Sequence, residues 1–111
     1  MNTINNSPNF RARTIISVSD NLLSKKEIKD LTKIGEKIGF NHDTINYGVR
    51  KINDNTIGIA HRSDFYINGN SLKTNKSQMF TLKDAKPFEV IKEQLKNLKS
   101  LYNNTISKID N

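Results

Sequence analysis

The 111-residue sequence contains no cysteine, which excludes a disulfide framework, thiolate zinc sites and thiol chemistry. Histidine is scarce too. His42 and His61 are the two present, and a metal site needs three or four ligands, so neither a metal nor a cofactor is expected. No apolar run approaches the roughly 18 residues of a membrane-spanning helix. The polar stretch Met1 to Asn9 lacks the charged and apolar regions of a signal peptide, so a cytoplasmic location is expected. Also missing are a nucleophile elbow, a phosphate-binding glycine loop and a paired-carboxylate motif, and no enzyme is expected. His61-Arg62-Ser63-Asp64 has the composition of a catalytic cluster but reads as a solvated strand end.

Acidic residues are outnumbered, 11 against 18 Lys and Arg, giving a net charge of +7 and a pI near 9.7. Such a balance favours anionic partners, of which nucleic acid is the commonest. The excess is spread along the chain rather than gathered in a tail, so any anion-binding face has to be assembled by folding. The chain is 34% hydrophobic, with 14 Ile, 8 Leu and 8 aromatic residues, enough for one modest core. Residues 1–9 have no periodicity and read as a tail, leaving 10–111 as a single domain.

Thr14, Ile15, Ile16 and Val18 form a β-branched run typical of a strand. Ser24-Lys25-Lys26-Glu27 is a capping box. Beyond it Ile28, Leu31, Ile34 and Ile38 recur at helical spacing, so a helix over 25–38 is expected, ended by Gly39 in a left-handed conformation. Residues 44–52 fit two periods at once. Ile45, Val49 and Ile52 make a helical stripe, whereas Ile45, Tyr47 and Val49 alternate as in a strand. Thr56 to Ile67 reads as strand, 68–77 as a turn and polar loop, and Gln78 to Leu82 as a short strand. Pro87 suits the first turn of a final helix. That helix carries Phe88, Ile91, Leu95, Leu98 and Tyr102 in a heptad-like seam.

Residues 31–50, with Gly35, Gly39, Thr44 and Ile45, resemble the helix-turn-helix pattern of DNA-binding proteins. Gly35 would sit where two helices touch, and the following hairpin and helix resemble a winged-helix regulator. The resemblance implies an α+β, winged-helix-like domain: helix-turn-helix 25–52, wing hairpin 56–83 and C-terminal helix 87–103. The alternative layout is β-α-β-β-β-α, an antiparallel sheet with two helices. In the winged-helix form His42, Asn46, Tyr47, Arg50 and Lys51 would belong to the DNA-reading helix. Lys73 and Lys76 would touch phosphates from the wing, and Arg11 and Arg13 would form a minor-groove arm.

The function so implied is sequence-specific binding of double-stranded DNA, as a small transcriptional regulator or a plasmid or phage DNA-organising adaptor. The chain would act as a homodimer through the seam of the C-terminal helix. The rival function is a protein-interaction or inhibitor module on an α+β sheet. A third, an RNA-binding α+β module, needs exposed aromatic residues on the sheet, where Tyr66 is the candidate.

Overall fold

The computed structural model describes residues 11–110, so the tail expected over residues 1–9 lies outside it. Strand β1 (Arg13–Val18) is followed by helix α1 (Lys25–Glu36), strands β2 (Thr44–Asn53), β3 (Thr56–Ile67) and β4 (Asn70–Thr81), and helix α2 (Pro87–Asp110). The layout is β-α-β-β-β-α, an α+β domain with one four-stranded sheet in the order β1-β2-β3-β4. The sheet is mixed. β1 and β2 run parallel with α1 as the crossover, and the β2–β3 and β3–β4 pairs are antiparallel.

The capping box forms as the sequence requires. The Glu27 amide donates to Ser24 Oγ at 3.0 Å, and the Ser24 amide donates to Glu27 Oε1 at 2.9 Å. Leu31 and Ile38 are buried, with Ile28 and Ile34 packed against the core. The helix ends at Glu36 with Lys37 as its cap, two residues short of the expected limit.

The expected second helix of the helix-turn-helix is strand β2, and this removes the winged-helix arrangement. A strand here has hydrogen-bonding neighbours on both edges, β1 and β3, and buries Ile45, Tyr47 and Val49 together. A helix would have turned Tyr47 away from the stripe and held Gly48 at a cost of about 1 kcal/mol relative to Ala. Ile52, the last member of the helical stripe, is 44% exposed. The two glycines of the motif have other tasks. At Gly35 a Cβ would lie 2.5 Å from Thr14 Oγ1, so Gly35 admits β1 rather than a second helix. Gly39 is not in the left-handed region, where Gly69 is the one described glycine. A Cβ at Gly39 would meet the Asp43 carboxylate instead.

The segment expected as a wing is a tight hairpin of two long strands. Asn68 and Gly69, with φ of 51° and 81°, make the whole turn, and the expected polar loop 71–77 belongs to β4. Helix α2 continues through Asn103-Asn104 to Asp110, beyond the expected end at 103. Its seam is not a free dimerisation surface. Ile91, Leu95, Leu98 and Tyr102 are buried in the chain's own core, the Tyr102 ring meeting Phe65 edge-on at 5.1 Å. The apolar stripe that argued for a homodimer is therefore covered internally. Among the described residues, no helix is long and apolar enough to cross a membrane.

Both helices lie on one side of the sheet. Ile45, Tyr47, Val49, Ile57, Ile59, Phe65 and Ile67 project toward them. The Cα extents, 46 × 38 × 16 Å, leave depth for two layers only, about 10 Å between their midplanes. Among the described residues, nothing covers the opposite face of the sheet.

Candidate functional site

Strand alternation and register decide which residues occupy the open face. Arg13, Thr44, Asp64 and Lys73 stand in one row across the four strands, and Ile15, Asn46, Arg62 and Asn75 in the next. The third row is Ser17, Gly48, Ala60 and Ser77, small residues on every strand. Beyond it Arg50, Gly58 and Met79 are in register, with Ile52 alongside. The third row makes the floor of a trough of about 690 Å³, bordered by Arg50, Ile52 and Met79. A shallower hollow of about 360 Å³ continues from it past Asn46, Arg62 and Asn75. A Cβ added to Gly48 would meet no atom within 4 Å, so the floor is open space rather than close packing.

The face carries Arg13, Arg50, Arg62 and Lys73 against the carboxylate of Asp64. Three of the chain's four arginines are thus on one surface. Of its lysines, by contrast, ten belong to the helical segments and their flanks. The distinction is chemical. The planar guanidinium offers paired donors matched to a phosphate, whereas an ammonium acts as a point charge.

The expected DNA-binding residues divide between several surfaces. Arg13, Asn46, Arg50 and Lys73 come together on the open face. Tyr47 does not: it is 2% exposed on the helix side, its ring stacked on His61 at 4.6 Å and 7°. Burial pushes its phenol above the ordinary tyrosine range. Lys76 also lies on the helix side, in a hollow shared with His61, Thr74 and Gln94. Lys51 is exposed near the β2–β3 turn, 3.8 Å from Asp54 Oδ1. Arg11 and Arg13 are not an arm. Arg11 pairs with Glu36 at 3.6 Å, and Arg13 is the first residue of β1. His42 lies in the α1–β2 loop, its Nε2 3.2 Å from the Tyr66 carbonyl oxygen and 3.5 Å from Asp43 Oδ1.

Arg62 is the member of the site that sequence reasoning passed over, as part of a solvated strand end. The signal was present: Ile57, Ile59, Phe65 and Ile67 share one face of β3, so Arg62 has to project from the other. Within the same tetrapeptide His61 and Ser63 are buried on the helix side, so the four residues do not form one cluster. Among the described residues, no three His, Cys, Asp or Glu side chains gather closely enough to hold a metal ion.

Fold and site together define a two-layer α+β domain with an arginine-bearing sheet face that no described element covers. No protein-family model and no curated protein matches the chain. One solved structure, of a protein described as uncharacterized, is similar over 90% of this chain and 94% of its own. The identity is 12% and the TM-score 0.36, too low to carry an argument about fold or function.

Proposed function

We propose that the protein binds nucleic acid, with the open face of the sheet as its contact surface. The observation that carries this reading is the placement of Arg13, Arg50 and Arg62, three of four arginines, on a sheet face that no described element covers. Phosphate contacts supply most of the affinity of nucleic-acid-binding proteins, and Arg is the side chain best matched to phosphate oxygens. The trough of small residues lets a sugar-phosphate backbone approach the sheet between the rows bearing Arg62 and Arg50. Groove reading by residues 43–52 is no part of this proposal, because Thr44–Asn53 is a strand.

The test is affinity against salt for a 20-nucleotide oligonucleotide, in single-stranded and duplex form. Wild type should show log K falling linearly with log salt concentration. Arg62→Ala should weaken binding and lower that slope by about one. Lys99→Ala, on the exposed side of α2, should leave the slope unchanged. Absence of binding to either form, or equal effects of the two substitutions, would count against the reading. Ile15, Ile52 and Met79, exposed on the same face, support the alternative of a protein-interaction module, and a failed salt test would move the reading there.

A further inference from the structure

We propose that Phe40, His42 and Tyr66 form a ledge on which unpaired bases stack, so that the partner of the open face is single-stranded nucleic acid. The inference rests on the nucleic-acid reading above and adds the substrate class. Phe40 and Tyr66 are 47% and 46% exposed, and the His42 side chain is 50% exposed. The three rings stand in series. Phe40 and His42 are 6.3 Å apart and within 16° of parallel, and His42 and Tyr66 are 6.1 Å apart at 53°.

The ledge is held from beneath by a buried carboxylate. Asp43, fully buried, accepts from the Phe40 amide through Oδ2 and from the Tyr66 amide through Oδ1, each at 2.8 Å. His42 Nε2 meets the Tyr66 carbonyl oxygen. Gly39 makes this possible, since a Cβ there would occupy the space of the Asp43 carboxylate. One side chain thus ties the backbones of the loop and of β3, presenting exposed rings on a fixed base. Such preorganisation lowers the ordering cost of binding.

Its place on the molecule supplies the choice of ligand. Tyr66 follows Arg62 and Asp64 at two-residue steps along the open face, next to the row holding Arg13 and Lys73. A strand whose phosphates lie against Arg62 and Arg13 therefore reaches the rings within its own length. The sheet is too broad to enter the major groove of a duplex. Four strands at about 4.8 Å spacing span about 14 Å before side chains are added, wider than the roughly 12 Å major groove. Bases inside a duplex also have no free π-face, whereas each unpaired base has one to offer an aromatic ring.

The experiment compares a 12-nucleotide single strand, the same strand with abasic sites, and its duplex, by fluorescence anisotropy. The proteins are wild type, Phe40→Ala, Tyr66→Ala, Tyr66→Phe and Arg62→Ala, each checked for its fold by circular dichroism. The Asp43 bond uses the Tyr66 amide, so both Tyr66 variants keep it. Wild type should prefer the intact single strand over the abasic strand and the duplex. Phe40→Ala and Tyr66→Ala should each weaken single-strand binding about tenfold without changing the salt slope, and Tyr66→Phe should retain it. If Arg62→Ala weakens binding while Phe40→Ala and Tyr66→Ala do not, or if duplex binds as tightly as single strand, the ledge is overturned and the broader reading stands. If no form binds, both are overturned.

Discussion

His61 combines burial with an unsatisfied polar atom. The residue is 8% exposed, its ring is stacked on Tyr47, and Nε2 has no hydrogen-bond partner among the described residues. Burial, and then the charge of Lys76, holds its pKa below the usual 6.5, so the folded chain keeps it neutral. The unfolded chain binds a proton more readily, so falling pH favours unfolding. The loss of stability begins as pH drops through 6.5, continues down to the lowered folded value and levels off below it. Urea midpoints should therefore be lower at pH 5.5 than at pH 7.5, and His61→Phe, which keeps a stacking ring but cannot titrate, should flatten that difference. An equal pH dependence in wild type and variant would show that other groups carry it.

The elements differ in what holds them. Helix α1 is defined locally by its cap and stripe, and it docks where Gly35 lets β1 come close. Helix α2 is held by the sheet: Leu95 is fully buried, and Leu98 and Tyr102 are nearly so. Removing the Leu95 side chain to Cβ should cost about 2–5 kcal/mol, the range for large-to-small substitutions in cores. Because the seam is buried within one chain, the thermal midpoints of wild type and Leu95→Ala should not depend on protein concentration. A midpoint rising with concentration would show that the folded chain self-associates.

For the molecule as a whole, the two-layer build separates stability from the candidate interface. One sheet face meets the helices and supplies the core; the other contributes the trough and the arginines. Gly48 tests the separation. It lies mid-strand with no atom within 4 Å of an added Cβ, and β-branched residues are favoured in strands by up to about 1 kcal/mol. Gly48→Val should leave the melting temperature equal or higher while weakening oligonucleotide binding, because its methyl groups fill the trough floor. A fall in stability with unchanged binding would place Gly48 in the packing rather than in the interface.

The sequence by itself determined the local pieces: the capping box and stripe of α1, the β-branched β1, the alternation of β3 and the start of α2 at Pro87. Each depends on neighbours within a few residues. It also carried the β-α-β-β-β-α layout as one of two arrangements, and Arg13, Asn46, Arg50 and Lys73 among its candidate contacts. Tertiary structure decided between the arrangements, because residues 44–52 satisfy both periods and the choice belongs to partners far along the chain. Ile15 pairs with Asn46, and Tyr47 with His61. The same long-range pairing assembled the arginines, which lie on three strands and share a face only through register. It also divided Lys73 from Lys76, which alternation sends to opposite sides of β4. Helix caps are read from adjacent residues, but a surface built from several strands exists only once backbone hydrogen bonds have aligned them.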